Sequence, residues 1–260
     1  MRILKLLVFI GVGLIANSLL AQKLTPKGIE ADLLNSFKKI DYWANKNLSN
    51  YDTKNDEELS KANDVFGKKL SDYAKKYPAT IAQHFSFLIK EHLMIATAAD
   101  GLFRIYSWDT QTGSTMHFFD NVFQFKIAGG TASLMQEPPE GDSGMYYTKV
   151  FMVKSDGQTY YLAVYRFIGS TRVMGGGVNV FIIKNDKLSK EAKIIKTQTG
   201  LHNSLNYDYD AQFAINDKHP DITFDQPRQT IKIPLIAEGG KPTYKYIGYK
   251  FTGQYFEKEK

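Results

Sequence analysis

Leu93-Met94-Ile95-Ala96-Thr97-Ala98-Ala99-Asp100-Gly101-Leu102-Phe103-Arg104-Ile105-Tyr106-Ser107-Trp108 is where the apolar period of this chain changes to two. Two runs of β-forming residues flank Asp100-Gly101, a pair whose tolerance of positive φ suits a tight hairpin connection. Strands so joined cannot bury their apolar faces alone. The segment therefore predicts that more sheet follows.

The pattern recurs downstream. Val150 to Lys154 and Thr159 to Phe167 flank Asp156-Gly157; Val178 to Lys184 and Leu188 to Ile195 flank Asn185-Asp186. Ile222 to Asp225 and Thr230 to Ile236 flank Gln226-Pro227-Arg228, and Tyr244 to Phe251 and Gln254 to Phe256 flank Thr252-Gly253. The expectation is one continuous antiparallel β domain over residues 93–260. Hairpins separated by looser connections resemble the blades of β-propeller-type proteins. An open meander, a barrel or a two-sheet sandwich satisfies the same periodicity. The run Asp100 to Asp109, followed by Thr112-Gly113-Ser114-Thr115-Met116, resembles exported bacterial β-rich proteins of unassigned activity, which implies a fold and a compartment and no catalytic residue.

Upstream, residues 22–92 read as a helical segment, making the fold class α+β. Thr25-Pro26 supplies a cap and a proline at the first helical position, and Ile29, Leu33, Phe37, Ile40 and Ala44 share one face. Asn47 to Asn55 reads as a loop. Asp56, Glu57 and Glu58 open a second helix with the stripe Leu59, Ala62, Phe66, Leu70, Tyr73 and Tyr77, closed by Lys75, Lys76 and Pro78. A third starts at Thr80, with Gln83 placed for a capping box and Ile81, Phe85 and Leu88 turned inward.

Residues 1–21 read as an export signal: Arg2 and Lys5, an apolar run from Leu6 to Ala16, and Ala21 before Gln22. That places the protein in the periplasm or outside the cell, with no membrane span in the mature chain. Among 260 residues, 33 are basic and 27 acidic. The mild excess is scattered, which argues against a nucleic-acid partner. No cysteine is present, so thiol catalysis, disulfides and cysteine zinc sites are excluded.

Catalytic patterns fail in turn. Gly141-Asp142-Ser143-Gly144 resembles the nucleophile segment of trypsin-like serine proteases, and Ile95 to Asp100 resembles the stretch around that family's histidine. Asp100 stands where the imidazole should be, so no base serves Ser143. His117, His202 and His219 with Asp208 and Asp210 offer metal-ligand atoms without ligand spacing, and no cofactor is implied; any cation site would involve Asp208 and Asp210. Gly175-Gly176-Gly177 lacks a phosphate-loop ending and reads as a hairpin connection. Asp109, Asp120, Glu137, Glu140, Asp142 and Asp225 lie at strand ends or loops, where two could form a hydrolytic pair.

Aromatic residues make up 13% of the chain. Alternation sends Phe103 and Ile105 inward and Arg104, Tyr106 and Trp108 to the other face, where they would form a stacking and hydrogen-bonding strip beside Asp109 and His117. The resulting expectation is a non-enzymatic envelope protein that recognises a glycan, a peptide or a protein through these five residues. A polymer hydrolase using a carboxylate pair and an inhibitor or immunity-type protein are the alternatives.

Overall fold

The structure is a computed structural model, and it describes residues 25–49, 52–136, 138–214 and 219–260. The expected export signal, residues 1–21, and Glu137 lie outside the described residues. Two long helices come first, α1 (Pro26–Ser49) and α2 (Thr53–Lys76), then a 3-10 turn at Pro78–Ala82 and the short α3 (Ser86–Lys90). The stripe from Ile29 to Ala44 is buried, and so is the second from Leu59 to Leu70; Tyr73 and Tyr77 are only half-buried, and Ala74 takes the buried position beside them. The Thr25 hydroxyl accepts the Gly28 N–H and the Asp52 carboxylate accepts that of Lys54, so each helix starts on a side-chain cap.

The helix boundaries differ from the expectation at two places. α1 continues through Asn47, and α2 is opened by Asp52 rather than by Asp56–Glu58. The third helix is broken, because Thr80 is buried and engaged elsewhere. Its hydroxyl donates to Tyr77 O and accepts from Gln124 Nε2, so it cannot cap. Ile81, Phe85 and Leu88 are buried nonetheless.

Among the described residues, fifteen strands follow. The first sheet is a meander of β1 (Met94–Thr97), β2 (Phe103–Asp109), β3 (Phe119–Ile127) and β4 (Gly130–Gln136), in sequence order. The second has the order β11-β7-β6-β5, from β5 (Tyr146–Ser155), β6 (Gln158–Ile168), β7 (Val173–Lys184) and β11 (Ser204–Asp210), with β8 (Lys187–Ser189) also on β7. The third has the order β10-β9-β15-β14-β13-β12, from β9 (Ile195–Thr197), β10 (Gly200–His202), β12 (Thr223–Asp225), β13 (Thr230–Ala237), β14 (Lys241–Phe251) and β15 (Phe256–Lys258). Every strand pair is antiparallel except β15 with β9.

The fold is thus α+β, and the β region is three open sheets rather than a closed barrel. Each expected turn pair does join two antiparallel strands. Asp156-Gly157 and Asn185-Asp186 both take positive φ at two successive positions, the twist that two-residue hairpins need. The run Leu188 to Ile195 is divided: β8 stays beside β7, while β9 crosses to the third sheet.

Three apolar clusters show the layering. α1 and α2 pack on Tyr106, Trp108 and Val122 of the first sheet. Phe103, Ile105, Phe123 and Phe125 on its other face meet Tyr147, Tyr161, Ala163 and Phe181 of the second. Leu162, Val164, Val178 and Val180 on the far face of the second sheet meet Ile231, Ile233, Phe251 and Phe256 of the third. Helices and three sheets therefore stack as four layers, each covering an apolar face of the next. Among the described residues, no helix is long and apolar enough to cross a membrane.

The glycine triplet is a correction. Gly175, Gly176 and Gly177 lie inside β7, between β6 and β11, not in a connection. A Cβ on Gly175 would meet the Phe167 ring, and one on Gly177 the Tyr165 hydroxyl and the Leu205 carbonyl. Small residues let neighbouring aromatic rings lie flat across the strand.

Candidate functional site

The strip expected on β2 is covered. Arg104, Tyr106 and Trp108 are all buried beneath the helical layer, so none of the three presents a surface. Their polar atoms instead dock that layer. Arg104 Nε donates to the Thr97 hydroxyl at 2.7 Å, and one terminal nitrogen donates to Thr80 O at 2.9 Å and Gln83 O at 2.7 Å. Tyr106 donates to Gln124 Oε1 at 2.9 Å, and Trp108 Nε1 to Asn63 Oδ1 at 3.0 Å. The physical reason is coverage: an amphipathic pair of helices needs an apolar floor, and the outward row of β2 supplies it with the Tyr106 hydroxyl and Trp108 indole donors matched.

The other two expected residues come together where β2 emerges from under the helices. Asp109 is the first residue of that strand that is not fully buried. His117 Nδ1 lies 2.6 Å from Asp109 Oδ2. A carboxylate only accepts, so Nδ1 is the donor of this pair and, in the neutral ring, Nε2 is the acceptor. The second carboxylate oxygen accepts the Gln111 N–H at 2.8 Å, which fixes the carboxylate in turn. Gln111 also contacts the Asp41 carboxylate on α1 through its side-chain amide.

These residues line a cavity of about 600 Å³ between the end of α1 and the β2–β3 connection. Asn47 and Leu48 form the helical wall, His92 a second, and Thr112, Gly113 and Ser114 the loop side. Thr110 N donates to Phe118 O, closing the loop at its base, and His117 N donates to Ile168 O, tying it to the second sheet. His92 and Gln111 both hold positive φ, an uncommon backbone state for residues with a Cβ. Among the described residues, no Lys or Arg lines this cavity.

Asn47, His92 and Gln111 were not foreseen. The sequence pattern puts Asn47 in a loop, and nothing in the spacing links residues 47, 92 and 111. A smaller cavity of about 370 Å³ shares Thr112 and gathers Asp64, Asp120, Glu140 and Asp142. Gly141 to Gly144 forms a connection beside it, where the Ser143 carbonyl accepts the Phe119 N–H.

The other expected cation residues are elsewhere. Asp210 is engaged by the Arg172 guanidinium, which holds its carboxyl below the ordinary range, and also accepts the Gln212 N–H. Asp208 is exposed on β11. Among the described residues, no group of three His, Cys, Asp or Glu is placed to hold a metal ion. Comparison with protein-family models, curated proteins and solved structures gives no match for this chain.

Proposed function

We propose that this is an exported binding protein of the cell envelope that recognises a neutral glycan in the cavity beside α1. The oriented His117–Asp109 pair in that cavity carries the reading. Sugar hydroxyls donate and accept, and the lining offers both: acceptors on Asp109 and His117, donors and acceptors on Asn47, Gln111, Thr112 and Ser114. Leu48 and Ala44 give an apolar flank for a sugar ring face. The lack of lining Lys or Arg argues against an anionic ligand. The leader-like Met1–Ala21 supports the compartment.

Calorimetric titration of the full chain with the N-acetylglucosamine tetramer and other neutral oligosaccharides tests this reading. Saturable binding by at least one of them, weakened up to about tenfold by His117→Ala, is expected, since one lost hydrogen bond to an oriented group is worth up to about 1.5 kcal/mol. Absence of binding across the panel, or affinity indifferent to His117→Ala, would refute it.

A second reading, hydrolysis by paired carboxylates, is favoured by the meeting of Asp120, Glu140 and Asp142 at the adjoining cavity. Release of reducing ends from the same oligosaccharides, abolished by Asp120→Asn, would establish it over binding alone.

A further inference from the structure

We propose that the free edge of β11 is a strand-addition site for an extended peptide that alternates apolar and basic side chains. This surface lies apart from the cavity above and does not depend on the glycan reading.

Among the described residues, β11 ends the second sheet and pairs only with β7. Val180 N donates to Asn203 O, and Ala211 N donates to Arg172 O. In an antiparallel ladder the bonded pairs recur at every second residue, so Leu205, Tyr207 and Tyr209 turn their backbone groups toward β7. The N–H and C=O of Asn206 and Asp208 then point away from the sheet. Among the described residues neither receives a backbone partner there.

Those groups open on a groove of about 450 Å³ between β11 and β13. Consecutive residues line both walls, Leu205 to Asp208 on one and Ile233 to Ala237 on the other, as expected for a channel that runs along strand edges. β12 covers β13 only over Thr230–Lys232, so the second wall is uncovered too. Pro234, with no N–H to offer, guards it, and a register shift follows between Pro234 and Ile236. β11 has no such guard. An uncovered edge with matched donors and acceptors is a template for a further strand.

The chemistry of the occupant follows from the two faces of β11. Leu205 and Tyr207 face the third sheet, where Ile233, Ile247 and Tyr249 complete an apolar lining. Asn206 and the exposed Asp208 occupy the other face. An added strand would place alternate residues against the apolar lining and the rest beside Asp208, where Lys or Arg gives a favourable cross-strand pair.

The test uses the full chain and a fluorescent octapeptide of alternating Val and Lys, followed by anisotropy. Saturable binding is expected, weakened about tenfold by Asn206→Pro, which removes an outward N–H without touching the β7 ladder, and also weakened by Asp208→Lys. The same peptide N-methylated at alternate amides should not bind the wild-type chain, a control that needs no variant to fold. Three results would overturn the proposal: no binding, binding unchanged by N-methylation and by Asp208→Lys, or a dimer of this chain, dispersed by Asn206→Pro, that excludes the peptide.

Discussion

Trp108 Nε1 donates to Asn63 Oδ1 at 3.0 Å, joining the centre of α2 to the first sheet through a buried hydrogen bond. Asn63 uses its amide nitrogen as well, donating to Thr110 O at 2.9 Å and Leu59 O at 3.0 Å. One buried side chain thus holds an indole, a strand-end carbonyl and its own helix. Phe66 meets the same indole edge-on at 5.1 Å between centroids, and Gly67 lets the helix come close, since a Cβ there would lie 3.1 Å from the Trp108 ring.

Asn63→Ala should destabilise the fold by about 2–4 kcal/mol, because it leaves a buried indole N–H and a buried carbonyl without partners. Urea unfolding followed by tryptophan fluorescence measures it. A loss below about 0.5 kcal/mol, the level of an ordinary surface change, would contradict the assigned role.

Gly177→Ala should cost about 1–3 kcal/mol through overpacking, since the new methyl meets Leu205 O and the Tyr165 hydroxyl. Gly157→Ala is the comparison. Nothing lies near its Cβ, and only the positive φ of 75° opposes the change, at about 1 kcal/mol. Thermal unfolding of the two variants should rank Gly177→Ala as the less stable.

A pH dependence follows from Asp32 on α1. The Tyr73 hydroxyl donates to it at 2.6 Å and Lys69 lies 3.0 Å away, both on α2. The Tyr73 hydrogen bond, with Lys69 adding to it, holds the Asp32 carboxyl below its ordinary 3.8. A depressed native value means the unfolded chain takes up the proton first as pH falls, so the stabilisation is present above pH 3.8 and disappears as the folded group titrates. Tyr73 is pushed from 10.0 up to about 12 by the same hydrogen bond, so its share is lost as pH rises through that interval. Asp32→Asn should therefore lie below wild type by a steady margin between these limits, a modest one because the pair is partly exposed. Urea midpoints across pH should show the margin closing below pH 3.8; a margin that persisted in full at pH 2 would contradict the linkage.

The periodicity of residues 93–108 revealed the hairpin, and the turn pairs revealed most of the strand partners, because two-residue connections write their backbone needs into Asp, Asn and Gly. The β3–β4 hairpin escaped: its turn, Ala128-Gly129, carries a single positive-φ glycine. Alternation correctly separated the two rows of β2, yet it cannot say which row meets a neighbouring layer. Both do, since helices cover one and the second sheet the other. Of the five expected binding residues, Asp109 and His117 escaped coverage because the strand ends there. Asn47 and His92 reach the same cavity only through helix packing, which no local pattern encodes.

β15 lies inside the third sheet, hydrogen-bonded to β14 on one side and β9 on the other. Among the described residues, the β9–β10 ribbon, some sixty positions earlier in the numbering, is paired to its sheet through Phe256 and Glu257. A chain emerging N-terminus first can close its first two sheets as it lengthens, but it must leave that ribbon waiting until Phe256 arrives. Pairing of the ribbon to its sheet thus waits on β15, where Phe256 packs in one apolar cluster with Ile195, Phe224 and Phe251.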